Sequence, residues 1–187
     1  MVKYSFLEAL KRHEQAFSEI NDENFLANIE SLGVEIIRSL KQGGKLIVFG
    51  NGGSAAEASH FATELISRCS KDHAPWPAIS LSDSSSNLTA IGNDYGFEKV
   101  FSRQVEGLAT EKDCVIGLST SGTSPNVINA LKSSYEIGCR TYLLTGQKAS
   151  EDARWTTIKV PSVKTTTIQE VHLWLIHVLS EFCENEM

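Results

Sequence analysis

The sequence predicts an α/β protein: a doubly wound sheet of about five parallel strands flanked by helices, with two extra helices ahead of the first strand. Three observations predict it. Short apolar runs rich in branched and aromatic residues recur along the chain and read as buried strands. Amphipathic stretches separate them, giving β-loop-α units with crossovers long enough for parallel pairing. Two of the strands break into loops of Gly, Asn, Ser and Thr that lead directly into helices, which places both loops at the carboxyl edge of such a sheet, where ligands bind.

The elements follow in order. Residues 3 to about 20 form a first helix with Phe6, Leu7, Leu10, Phe17 and Ile20 on one side, and Asn21-Asp22 breaks it. Asp22 can cap a second helix to about Leu40, with Phe25, Ile29, Leu32, Ile36 and Leu40 at helical spacing. This leading pair (1–41) needs a surface to bury against, either its own sheet or a partner subunit. Gln42-Gly43-Gly44 stops the helix, and the α/β core (42–187) begins with a strand at 45–50. Gly50-Asn51-Gly52-Gly53 breaks that strand; Ser54 offers an N-cap and Ala55 to Glu64 reads as helix. Strand two is Ala78 to Leu81, and a short helix begins in the serine cluster 82–86. Residues 90–97, AIGNDYGF, read as a loop, followed by a helix from Phe97 to Leu108. Strand three, Cys114 to Leu118, runs into Ser119-Thr120-Ser121-Gly122-Thr123-Ser124, and Pro125 suits the first turn of a helix ending near Ile137. Strand four is Arg140 to Leu144, strand five Ile158 to Val160, and the last helix runs from about Thr166 to Glu184. That helix is apolar nearly all round near Trp174, which predicts burial inside an assembly. The whole chain, 1–187, reads as one domain.

Composition narrows the function. Hydrophobic content of 41% and charged content of 21% are those of an ordinary soluble protein, and no apolar run approaches the ~20 residues of a membrane span. The N-terminal stretch lacks the continuous apolar core of a secretory signal, so a cytoplasmic location is expected, with no membrane partner. A net charge of −6 argues against nucleic acid as a partner. The four cysteines form no CxxC pair and read as buried thiols.

The chemistry gathers at the loops and on two helices. A glycine loop opening a helix, and a hydroxyl-rich loop opening another, both offer backbone N–H groups to a phosphate or sugar. His60 and Glu64 are four apart and share a helix face. Asp94 is placed to touch a ligand, and Gln169, His172 and His177 stand among apolar residues of the last helix.

GNGGSAAEASHFATEL, AIGNDYGF, LSTSGTSPNVINAL and IQEVHLWLIH, in that order and spacing, resemble the bacterial phosphoheptose isomerases, a branch of the sugar isomerase (SIS) domain family of flavodoxin-like fold. The resemblance spans nearly the whole chain. It implies interconversion of sedoheptulose 7-phosphate and D-glycero-D-manno-heptose 7-phosphate, the first step toward activated heptoses of lipopolysaccharide, capsule or surface-layer glycans. It also implies a homotetramer with sites at subunit interfaces and no organic cofactor. By motif, Asn51, Gly52, Gly53, Ser54, Asn93, Asp94 and Gln169 would contact substrate, Ser119, Thr120, Ser121 and Ser124 would hold the phosphate, and Glu64 and His177 would be the catalytic pair. His60, Glu64, Gln169 and His177 match the zinc ligands of some members. Many relatives carry a charged residue, often Asp or Arg, just before the IQE motif; here Lys164-Thr165-Thr166-Thr167 stands there, and no role for that charge is carried over.

Two rival readings follow the same resemblance. One branch of the family is non-enzymatic and binds a replication initiator; the presence of His60, Glu64, Gln169 and His177 favours the enzyme. A sugar-phosphate sensor would need an appended DNA-binding domain, for which 187 residues leave no room. A dinucleotide enzyme is disfavoured because the first loop reads GNGGSA and not GxGxxG. Geometry sets one further expectation. Residues 169 and 177 lie ~12 Å apart along an ideal helix, so Gln169 and His177 reach one ion only by leaning toward each other or from different subunits.

Overall fold

In the computed structural model, which describes residues 5–187, five strands form one parallel sheet of order β2-β1-β3-β4-β5. They are β1 (Leu46–Gly50), β2 (Ala78–Ser80), β3 (Cys114–Ser119), β4 (Arg140–Gly146) and β5 (Thr156–Val160). Alternation along each strand feeds two cores. Leu46, Val48, Ile116 and Leu144 face a layer built from α1 (Phe6–Glu19), α2 (Glu23–Lys41), α3 (Gly53–Ile66) and α7 (Thr165–Glu186). Ile47, Phe49, Val115 and Leu143 face α5 (Ser102–Leu108) and α6 (Pro125–Ile137), with α4 (Ser85–Tyr95) at the margin. Both faces are covered, so the strands are apolar throughout and not alternately polar. The doubly wound expectation holds.

Local signals explain most boundaries. The Ser5 hydroxyl accepts from Glu8 N to cap α1, and Asp22 accepts from Asn24 N and Phe25 N at 3.1 Å each to cap α2. Residues 3 and 4 of the expected first helix lie outside the described residues. Pro125 opens α6, and Gly138 ends it in the left-handed region at φ 95°.

Three expectations change. Helix α3 begins at Gly53 with Gly52 as its cap, not Ser54. Gly52 takes φ 57°, and Ser54 is drawn inward against Gly50, where a Cβ would come within 2.8 Å of it. Residues 90–95 are helix and not loop, because Leu88 and Ile91 pack at helical spacing on the second core; the chain turns only at Gly96, φ 91°. Residues 97–108 then divide into a short 3-10 turn, Phe97–Lys99, and α5.

The apolar last helix is covered largely by its own chain. Leu175, Ile176 and Leu179 are buried in the core shared with α2 and α3. Trp174 is only partly buried and meets Phe17 of α1 edge-on at 5.7 Å. The leading pair packs on α7 and the sheet, so its first cover is this chain and not a partner. Leu7 and Leu10 of α1 nevertheless remain more than half exposed. Among the described residues, no helix is long and apolar enough to cross a membrane.

Two polar ties hold the layers in register. Asp113, fully buried ahead of β3, accepts from Lys45 N at 2.8 Å, Lys45 Nζ at 2.7 Å and Thr110 N at 2.8 Å, pinning the start of β1 to β3. Glu184 near the end of α7 accepts from the amides of Cys69, Ser70 and Lys71 and from the Ser70 hydroxyl, at 2.7–3.1 Å. Burial alone would raise its pKa; the Ser70 hydroxyl and the three amides outweigh that and hold it near 2, against an ordinary 4.5.

Asp113→Ala strands three donors, and its expected cost of about 3 kcal/mol is read as a lower urea midpoint at unchanged slope. Because the folded pKa of Glu184 lies below its unfolded value, its stabilisation is complete above about pH 4.5 and is lost as pH falls toward 2. Glu184→Gln should therefore lower stability at neutral pH by roughly 2 kcal/mol and flatten the fall between pH 4.5 and 2. Parallel acid-melting curves for the two proteins check this.

Candidate active site

In the order 2-1-3-4-5 the connections from β1 and β3 leave in opposite directions, which opens a crevice between their carboxyl ends. The Gly50–Gly53 and Ser119–Ser124 loops flank it. A reciprocal amide pair joins them: Asn51 Nδ2 donates to Asn126 Oδ1 at 2.9 Å, and Asn126 Nδ2 returns the bond to Asn51 Oδ1 at 2.8 Å. In the second loop the hydroxyls converge. Ser119 Oγ donates to Ser124 Oγ at 3.1 Å, and Ser121 Oγ accepts from Thr123 N at 3.2 Å and Thr123 Oγ1 at 3.1 Å. Gly122 turns the loop at φ 69°, and Thr145 Oγ1 lies beneath it, buried without a hydrogen-bond partner among the described residues. A cleft of about 190 Å³ opens against this loop, lined by Thr120, Ser121, Lys148, Ser162, Val163 and Thr165. Hydroxyls, a lysine and the N-terminal end of α7 suit an anion.

Helices α3 and α7 lie side by side and meet in successive rungs. At the loop end the Gln169 amide rests on Gly53, so close that a Cβ there would overlap it. Next, Glu57 Oε2 faces His172 Nδ1 at 3.8 Å. Then His60 Nε2 meets His177 Nε2 at 2.9 Å, one ring donating to the other, and stands 3.5 Å from Glu64 Oε1. The His60 and Glu64 side chains are 39% and 13% exposed, so this cluster opens to solvent on the histidine side. Cys69 Sγ lies 4.0 Å from the His177 carbonyl. Burial first, then the hydrogen bond and charge of Glu64, push the Cys69 thiol up to about 12, so it stays protonated beside that carboxylate.

The structure thus groups the sequence-derived candidates in three places. Asn51, Gly52, Gly53, Ser54 and Gln169 are at the glycine loop, with Ser119, Thr120, Ser121 and Ser124 across the crevice. Ser54 faces inward, 3% exposed, and Asn51 is already committed to Asn126. His60, Glu64 and His177 form the second group. Asn93 and Asp94 form the third, at the end of α4, where Asn93 Nδ2 donates to Asp94 Oδ1 at 2.8 Å. Asp94 lines a different cleft, about 340 Å³, with Arg103 and Tyr95. That cleft is the larger of the two, but the convergent hydroxyls and the histidine–carboxylate cluster mark the chemistry better than volume does. Among the described residues no three His, Cys, Asp or Glu side chains are gathered to hold a metal ion. His60, Glu64 and His177 are in pairwise contact around His60, and Gln169 sits two turns away at Gly53, so the four-residue zinc set does not meet at one point within the chain.

Residues that the sequence reading passed over include Asn126, Lys148, Ser162 and Glu57. Asn126 and Glu57 lie inside the quoted motifs; Glu57 is four residues after Gly53 and three before His60, a spacing that places it on the same helix face. Lys148 and Ser162 come from segments with no local signal and are brought in by the sheet.

The SIS domain family model matches residues 8–146. The chain is 50% identical over 152 residues to a phosphoheptose isomerase of Aquifex aeolicus, covering 80% of this chain and 79% of that one. It is 40% identical over 188 residues to one of Aliarcobacter butzleri, covering 100% and 99%. The solved phosphoheptose isomerase from Neisseria gonorrhoeae superimposes with a TM-score of 0.86 at 34% identity, over 96% of each chain. Similarity of that extent, on a crevice so furnished, places the chain in the SIS domain family, among its phosphoheptose isomerases.

Proposed function

We propose that this enzyme interconverts sedoheptulose 7-phosphate and D-glycero-D-manno-heptose 7-phosphate through an enediol, as the first step toward nucleotide-activated heptoses for surface glycans. The observation that carries the reading is the His60–Glu64–His177 cluster, set about two helical turns along α3 from the glycine loop, which the Asn51–Asn126 pair ties to the hydroxyl-lined loop across the crevice. Gly53 and His60 are seven residues apart, ~10 Å along α3. An extended seven-carbon chain ending in phosphate spans about the same length on ordinary single-bond distances. With the phosphate held at Ser119, Thr120, Ser121 and Ser124, the sugar runs past the glycine loop along α3, with C1 and C2 toward His60 and Glu64. Asn51, Gly52, Gly53 and Gln169 lie between and face the sugar hydroxyls, and Lys148 adds a positive charge at the phosphate end. That the curated relatives are named as isomerases supports an enzyme over a regulator that binds a replication initiator.

In the proposed mechanism Glu64 accepts the proton from C2 of the aldose and returns it to C1. His177 gives a proton to the carbonyl oxygen at C1 and takes one from the hydroxyl at C2, so the enediol forms and collapses without net change. His60 holds the His177 ring and can accept its spare proton. The zinc that the family resemblance implies would need His60, Glu64, Gln169 and His177 to regroup, because within the chain they do not meet at one point; no step above runs through it. Asp94 lines a separate cleft in this chain, and we assign the substrate contacts of Asn93 and Asp94 to another copy of the chain. A homotetramer, with the exposed Leu7, Leu10 and Leu26 and the Trp174 groove as contact surface, supplies that copy. We place the enzyme in the cytoplasm, with all 187 residues acting as one domain.

Incubation with sedoheptulose 7-phosphate, followed by NMR of the product, tests the reaction; no aldose formed by the wild-type protein refutes it. Glu64→Gln keeps the shape and removes the base, and should lower turnover by at least ~10²-fold with assembly retained. Normal turnover in that variant takes Glu64 out of the role. Ser119→Ala, Ser121→Ala and Lys148→Met should each weaken phosphosugar binding by ~1.5–3 kcal/mol, seen as a raised KM at little-changed kcat. Unchanged KM in all three would move the phosphate to the Gly50–Gly53 loop.

A further inference from the structure

His172 sits in the middle of α7 with no solvent exposure, and among the described residues neither ring nitrogen has a hydrogen-bond partner. Buried polar groups are nearly always paired, so two orphaned nitrogens on one ring ask for a reason. An apolar side chain would fill the same space without that penalty. Facing the ring is a second orphan: Glu57 Oε2, buried and likewise unpartnered, 3.8 Å from His172 Nδ1. The Glu57 side chain is 11% exposed. A hydrogen bond needs about 2.9 Å, and a relative shift of about 1 Å between α3 and α7 forms it. Because His172 is sealed inside this chain, a partner subunit cannot satisfy it. Glu57 is the acidic group that the structure sets against it.

The position of this pair gives it a task. Along α3, Gly53, Glu57, His60 and Glu64 follow at spacings of four, three and four, on one face. Along α7 their counterparts are Gln169, His172 and His177. The Glu57–His172 rung is the one between the sugar end and the proton-transfer end. We propose that Glu57 and His172 are a positioning pair: Nδ1–H of His172 donates to the Glu57 carboxylate and fixes how closely α3 approaches α7, and so how His60 and Glu64 meet His177. Neither residue touches the reacting carbons. Nε2 then keeps only an unused lone pair, a smaller loss than an unpaired N–H. The inference rests on the isomerase reading for its consequence in catalysis, but the pair itself can be observed without it.

Four full-length proteins decide it: wild type, Glu57→Leu, His172→Leu and the double variant, with Glu57→Gln as the conservative control. With sedoheptulose 7-phosphate, each Leu single variant should lower kcat by roughly 10- to 100-fold with KM within about twofold, the scale of a small misplacement of reacting groups. The double variant should fall no further than either single, since both remove one bond. Glu57→Gln, which keeps an acceptor, should recover most of the loss. Additive losses, or unchanged kcat with only a lowered Tm, would show a packing role and overturn the proposal. If His172→Leu does not fold, Glu57→Leu against Glu57→Gln still decides. Spectra of ¹⁵N-histidine-labelled protein give a reading free of activity. Wild type should show a ring N–H of His172 in slow exchange that Glu57→Leu abolishes, together with shifted ring signals of His60 and His177. Unmoved His60 and His177 signals overturn the positioning role even if the wild-type protein proves to lack isomerase activity, which would instead refute the functional reading.

Discussion

The side-by-side packing of α3 and α7 on one face of the sheet is the constraint on which the site depends. Each helix follows a strand of the same parallel sheet, so each starts at the carboxyl edge and runs back across the same face. Contacts therefore recur in the same order on both: Gly53 with Gln169, Glu57 with His172, His60 with His177, and the turn after α3 with Glu184. Buried side chains hold the pair from beneath, with Phe61 and Leu65 from one helix and Val171, Leu175 and Leu179 from the other in a single core. Packing at that density confines movement between the two helices to small adjustments. A polar stripe carried on such a pair inherits its precision.

The architecture was largely legible because both faces of a parallel sheet must be covered. The strands could then be read as short apolar runs and the helices as the amphipathic stretches between them, without knowing any contact. The chain misled where two local signals disagreed. Gly92, Asn93, Asp94 and Gly96 are turn formers, yet Leu88 and Ile91 had a core to reach, and burial prevailed until Gly96. Ser54 is a good cap by type, but Gly52 reached the required backbone geometry first, and the tight strand-to-helix turn pulled the serine inside. The last helix looked like the centre of an assembly because its apolar surface exceeded one face. Three helices of its own chain supply most of the cover, which no reading of that segment alone could supply.

Candidate site residues were legible in proportion to how local their grouping is. His60 and Glu64 share a helix face at a spacing any reader can count, and the hydroxyls of residues 119–124 share one loop. The contact of His60 with His177 joins residues 117 apart and depends on the helix pairing. Lys148 reaches the hydroxyl loop only because β4 lies beside β3, and the Asn51–Asn126 bridge exists because β1 does too. Such groupings are properties of the sheet order, and the sequence states them only after the order is known.

The helix pair also separates tasks that a list of motif residues runs together. Gln169 and His177 lie eight residues apart on one continuous helix, ~12 Å along its axis. Gln169 is pressed on Gly53 and His177 on His60, and neither contact can be traded for the other without breaking the helix between them. Within one chain, Gln169 therefore stays at the glycine-loop end and His177 at the histidine–carboxylate end. The residues between them cannot be indifferent. An element that must deliver two groups at a fixed separation needs its middle held as firmly as its ends, and in α7 that middle is His172, a titratable side chain that the core takes in whole and leaves facing the Glu57 carboxyl group.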